Sequence, residues 1–418
     1  MTAERATAQQ TEAEAREANR QTVAFALEYP NGAIQVENGQ PVITRPPKRT
    51  TRNLHTVISR DLEFVDGLRL NEHSNVVEWQ GEQLKDTHIT YMRLQIAVRY
   101  RLEATSQSVQ EMATYQAEFQ SYHPVREYLD GLKWDGKRRV DDFLVRMAGS
   151  PDDDTTRTLT RRWAISAVAR IFQPGCKVDT VLVLVGSQGV GKSTMFRALG
   201  GTWFKDTAID LRSKDAFIAL RGAWLYELAE LAATRPRDAE TVKAFLSAPV
   251  DHYRPPYGRN EVAQERQCVF VGTTNEATFL NDPTGARRFW PIAVTKSIQP
   301  AMVEAERDQF WAEAVAAYRS RERWWLELNE SDGLLETQSP YQASDPWSET
   351  VAGWLSDHAN RSRNGWTATQ ILSGALGMPS DKQSKHHVSR VSNVLRDLGL
   401  QRQRLTIDGV REYRWLED

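Results

Sequence analysis

One stretch limits this chain more than any other. VDTVLVLVG, residues 178–186, contains an unbroken run of valines and leucines from Val181 to Val185 without polar alternation. Strands that read this way are buried on both faces, as in a parallel sheet covered by helices. The run passes directly into Gly186-Ser187-Gln188-Gly189-Val190-Gly191-Lys192-Ser193, and the TMFRALGG that follows from Thr194 is helical in pattern. Strand, glycine loop and helix in that order make a phosphate cradle. The glycines let backbone N–H groups curl around phosphate, and the start of the helix adds a favourable dipole. A lysine at 192 suits the β- and γ-phosphates, and a hydroxyl at 193 suits Mg²⁺. The pattern G-x-x-x-x-G-K-[ST] arises by chance in such a chain roughly once in a hundred. The expected fold is therefore an α/β P-loop NTPase core, with a nucleoside triphosphate and Mg²⁺ as its ligands.

Downstream residues indicate what the energy drives. GAWLYELAEL (222–231) reads as a short apolar strand ending in carboxylates at Glu227 and Glu230, although an ELAEL segment alone also reads as helix. As a Walker-B-like pair, one acid holds Mg²⁺-bound water and the other polarises the attacking water. QCVFVGTTN (267–275) is a second buried strand, closing on Thr273-Thr274-Asn275. Asn275 there is either a water-orienting group or a turn cap. Arg287 and Arg288 precede the apolar Phe289 and Trp290. They suit a γ-phosphate contact supplied by a neighbouring subunit, or a surface pair stacked on Trp290.

Composition narrows the classes. The chain has 418 residues, which at ~150 per domain gives two to four domains. No apolar run approaches the ~18–20 residues of a membrane helix, and the first residues lack an apolar signal region. Two cysteines, Cys176 and Cys268, cannot build a disulfide framework or a thiolate zinc site, which fits a reducing cytoplasm. Net charge is −2, from 53 basic against 55 acidic residues, so any nucleic-acid surface must be local.

The chain divides into six expected segments. Residues 1–52 form a flexible arm, without an apolar stripe over 1–22 and ending in RPPKRTTR (45–52), a solvated linker or a phosphate-contacting strap. A mixed α/β or helical N-terminal domain covers 53–122, with a strand pair around Asn75. A helical collar follows at 123–173, the P-loop core at 174–300, and a helical lid and linker at 301–345. The last segment, 346–418, reads as three helices and a hairpin about Asp408-Gly409, the pattern of a winged helix. From Arg361 to Arg414 there are ten basic residues against four acidic ones, a locally positive unit suited to DNA. Lys385 and Arg390 lie on its third helix and Arg404 lies beside the wing.

Taken together, the PGCKVDT segment, the GSQGVGKST loop, ELAEL, KAFLSAPVDHYRPPYGR, GTTN and GARRFWP resemble the virulence-associated E family. That family is grouped with superfamily 3 helicases of the AAA+ class and occurs in phages and mobile elements. The upstream HPVREYLDGLKWDG is also similar, so the likeness spans roughly residues 53–300. It implies a ring, expected to be hexameric, that hydrolyses ATP with Mg²⁺ and translocates along DNA. It places Gly186, Gly191, Lys192 and Ser193 on nucleotide, Glu227 and Glu230 at the acidic positions, and Asn275 at the sensor. Arg287 and Arg288 become arginine-finger candidates. The resemblance further implies a channel hairpin between the acidic and sensor strands. Lys243, His252, Arg254, Tyr257 and Arg259 around Pro255-Pro256 supply cations and an aromatic for single-stranded DNA, or belong to a solvated hairpin that stabilises the ATPase core. Relatives carry a primase-polymerase domain ahead of this region, and too few residues precede it here. The expected function is a replicative helicase of a mobile element, with host replication proteins as possible partners. An ATP-switched DNA-binding initiator that never unwinds is the alternative. A small-molecule phosphotransferase fits the arginine pair and the C-terminal unit poorly.

Overall fold

The computed structural model describes residues 2–211, 213, 215–229, 239–254, 261–276, 278–279, 286–341, 345–360, 362, 364–407 and 410–416. It is an α/β fold in two units. One comprises residues 1–277 and 282–340, the other 278–281 and 341–418.

Five strands form the central sheet of the first unit, numbered here within that sheet. They are β1 (Val181–Val185), β2 (Phe204–Lys205), β3 (Leu225–Ala229), β4 (Val269–Thr274) and β5 (Phe289–Ala293). Their order is β5-β1-β4-β3-β2, and every neighbouring pair is parallel. All five residues of β1 are buried, as its unalternating sequence requires. On one face, Leu182 and Leu184 join Leu225, Val269 and Val271 in a core shared with Met195, Phe196 and Leu199 of the helix Lys192–Gly200. The helix Asp154–Phe172 is buried along most of its length, which explains its apolar residues on all sides. Two tryptophans tie the layers together. Trp311 Nε1 donates to Leu199 O at 3.0 Å, and Trp224 Nε1 donates to Ala167 O at 2.9 Å. The helix that begins at the glycine loop is thereby clamped from behind.

The N-terminal part contains regular elements. A helix spans Thr2–Phe25, followed by a hairpin pairing Ile34–Glu37 with Gln40–Ile43. Val23 in the helix and Leu27 just past its end are buried against Leu54, Val57 and Ile58. Asn19 receives the Leu62 N–H and donates to Arg60 O, and Arg20 pairs with Glu63 at 3.1 Å. The missing apolar stripe of residues 1–22 is supplied just beyond that window, and polar side chains fasten the rest. Arg52 of the basic segment pairs with Glu28 at 2.8 Å. The strand pair about Asn75 is present, Leu68–Asn71 against Val76–Trp79, with Asn75 itself at φ 51°.

The second unit has its own core. Val351, Leu355, Ile371, Leu372, Val391, Val394 and Leu395 from three helices pack with Trp366 and Trp415. The strands Gln401–Ile407 and Val410–Leu416 pair antiparallel, while the Asp408-Gly409 turn lies outside the described residues. Among the described residues no helix is long and apolar enough to cross a membrane.

Candidate functional site

In open α/β sheets, ligands bind beyond the carboxyl ends of the strands. Here the glycine loop leaves β1 at that edge. Two of its glycines are demanded by geometry. A Cβ at Gly186 would stand 2.6 Å from Val294 O, and Gly191, capping the helix Lys192–Gly200, sits at φ +91°. The loop is backed by the chain after β5, because Ile298 N donates to Val190 O at 2.9 Å. Ser187, Gln188 and Gly189 are exposed at its crest, Thr194 is exposed on the helix, and Val190 is half-buried.

Lys192 is only 7% exposed. Its ammonium donates to Gly186 O at 2.8 Å, Ser187 O at 2.9 Å and Asn275 Oδ1 at 2.7 Å. Burial lowers its pKa, and the charge of Glu227 works in the other direction. Glu227 is the third of the five residues of β3 and is 3% exposed. Its Oε1 accepts from Ser193 Oγ at 2.7 Å and from Thr273 Oγ1, while its Oε2 is buried without a hydrogen-bond partner. A buried carboxylate oxygen with no donor is costly unless a cation or proton meets it. Beside the Ser193 hydroxyl, that oxygen suits a small hard cation. Among the described residues no group of three or more His, Cys, Asp or Glu could hold a metal.

The structure thus brings together Lys192, Ser193, Glu227 and Asn275 from three strand ends. Strand β4 lies between β1 and β3, so Asn275 stands beside the loop and Thr273 beside the acid. Thr273 is a partner of Glu227 that no motif marks. Its signal was the period of two, which sets Val269, Val271 and Thr273 on the face that carries Glu227. Glu230 lies outside the described residues, as do Tyr257 and Arg259.

Other expected residues stand apart. Arg287 and Arg288 precede β5, and Phe289 is paired with Val181 at the start of β1. They therefore lie at the amino edge, about 16 Å from the loop across five strand residues. Within one chain they are not beside the candidate site, because parallel pairing puts the start of β5 beside the start of β1, at the edge away from the loop. Arg287 is exposed. Arg288 lies 3.4 Å from Ser247 Oγ and 3.7 Å from Asp179. The hairpin between β3 and β4 pairs Val250–Tyr253 with Val262–Glu265. Arg254 is at the end of its first arm, His252 is exposed, and Lys243 lies on the preceding helix Ala239–Ser247.

In the second unit, Lys385 and Arg404 are exposed. Arg390 instead pairs with Asp345 through two bonds of 2.8 Å and lies 4.0 Å over Trp347, so it holds the unit together. One face of the terminal ribbon carries Arg402, Arg404, Arg411 and Tyr413, all exposed, with Arg402 4.0 Å over the tyrosine ring.

Fold and site define an α/β protein with a phosphate-type loop at the carboxyl edge of a parallel sheet. The chain belongs to the virulence-associated protein E-like domain family, whose sequence model matches residues 129–343. No curated protein matches it. Among solved structures, the apo structure of the NrS-1 C-terminal region (305–718) is 12% identical, with a TM-score of 0.49 over 88% of this chain and 99% of that one. The A form apo structure of the same region gives 12% identity and 0.48, over 87% and 98%.

Proposed function

We propose that this chain is an ATPase that couples Mg²⁺-dependent ATP hydrolysis to movement along DNA in the replication of a phage or mobile element. The observation that carries the reading is the meeting of Lys192, Ser193, Glu227 and Asn275 beside the glycine loop. Lys192 exchanges its carbonyl partners for β- and γ-phosphate oxygens, and Asn275 is left to orient water. Ser193 and the open oxygen of Glu227 hold Mg²⁺, which supplies charge neutralisation at the phosphates when bound. Glu230 is the second acid. Arg287 acts across a subunit boundary in a hexameric ring, since its own chain's loop is out of reach. The hairpin, through Arg254, Tyr257 and Arg259 with Lys243 behind it, tracks single-stranded DNA. The C-terminal unit is a winged helix whose Lys385 and Arg404 meet duplex DNA.

Forked-DNA strand displacement with ATP tests this reading. ATP-dependent displacement that Lys192→Ala abolishes is the expected result; wild-type ATPase activity without displacement overturns the helicase. That second outcome selects an ATP-switched DNA-binding initiator, which the separate core of the C-terminal unit favours.

A further inference from the structure

We infer that Thr273 is a positioning residue that holds Glu227 so that its free oxygen faces the cation accompanying a nucleotide. The inference rests on the nucleotide-site reading above. Glu227 lies on a sheet face otherwise built of Leu182, Leu184, Leu225, Val269 and Val271, and such a face offers a carboxylate no donors. Two hydroxyls fill the deficit, and both go to the same oxygen. Ser193 Oγ and Thr273 Oγ1 donate to Oε1, leaving Oε2 bare. The two hydroxyls are 3.4 Å apart and have different prospects. Ser193 starts the loop helix and must also serve the cation. Thr273 is embedded in β4 between β1 and β3, and its β-branched side chain has restricted χ1 freedom. It can keep Oε1 engaged whatever Ser193 does, which stops the carboxylate from turning its bare oxygen away.

The test measures binding of a fluorescent ADP with and without Mg²⁺, using the full chain. Wild-type protein should bind more tightly with Mg²⁺. Thr273→Val removes the hydroxyl at nearly constant shape and should lose roughly tenfold or more of that Mg²⁺-dependent gain, as expected for a lost hydrogen bond to a charged group. Mg²⁺-free affinity should be unchanged. Thr273→Ser keeps the hydroxyl and should retain most of the gain. In steady-state hydrolysis, Thr273→Val should raise the Mg²⁺ midpoint and lower kcat, with KM for ATP little altered. Thr273→Ala carries the same test should the valine variant not fold. A wild-type Mg²⁺ gain in a folded Val or Ala variant overturns the inference, and so does a Ser variant as impaired as Val. Equal, Mg²⁺-independent ADP binding by wild type and Lys192→Ala would instead remove the nucleotide site, and this role with it.

Discussion

Three acceptors surround the Lys192 ammonium, matching its three donors, and two of them are loop carbonyls that a phosphate can replace. Lys192→Ala should therefore lower ATP hydrolysis by at least about 10²-fold while leaving the circular dichroism spectrum close to wild type. A folded variant with near-normal turnover contradicts the role. The arginine pair separates by the same local reasoning. Arg288 is tied to Ser247 and lies near Asp179, so Arg288→Ala should cost about 1 kcal/mol in urea unfolding. Exposed Arg287 should cost less than about 0.5 kcal/mol on substitution and yet stop hydrolysis. Mixing Arg287→Ala with Lys192→Ala subunits should restore part of the activity, because mixed rings contain intact interfaces. Mixed rings no more active than either parent would remove the trans role.

Two buried polar contacts hold whole elements in place. Arg266, at the foot of the hairpin, is sandwiched by Phe245 and Phe270 and forks onto Asp251. Arg266→Ala leaves a buried carboxylate unpaired and should cost about 3–5 kcal/mol by denaturant unfolding. Replacing both partners with apolar residues should cost far less. Gln267, the next residue, joins the core to the N-terminal part. Its Oε1 accepts from His73 Nδ1 and from His123 Nε2, each at 2.9 Å. Arg126 N donates to His123 Nδ1, which fixes that tautomer, and His73 Nε2 is buried with no partner. Burial, opposed by the Gln267 bond and helped by the nearby His123 and Lys205 charges, pulls the His73 pKa down to about 4. The folded state thus binds fewer protons than the unfolded chain between pH 6.5 and 4. Stability should fall as pH drops through that window, by about 1.4 kcal/mol per unit from this group, and level off below it. Urea midpoints at pH 7 and 5 check the slope, which His73→Gln should flatten.

For the molecule as a whole, separate cores in the two units predict separable behaviour. Removing residues from Ser344 onward should leave ATPase assembly intact and weaken duplex binding. A truncated chain that cannot assemble would make the C-terminal unit an oligomerisation module. Much of this organisation was legible beforehand, and legibility tracked how local the cause was. VLVLV read as a doubly buried strand and the glycine loop as a cradle because both depend on neighbours in sequence. The helix Thr2–Phe25 was not legible as a docked element, because its anchors Val23 and Leu27 meet partners from Leu54 onward. The sequence by itself determined the strand–loop–helix, the acid-bearing strand, and the three helices with a terminal ribbon, since periodicity and glycine chemistry act over a few residues, while the hairpin between β3 and β4 was expected only from the family resemblance. Tertiary structure alone decided which side chains meet. Strand order put Asn275 on a lysine 83 positions away and Thr273 on a glutamate 46 positions away. It sent the arginine pair to the far edge of the same sheet, and packing turned Arg390 inward to Asp345. These pairings follow from how parallel strands stack across the sheet, and no local pattern encodes that order.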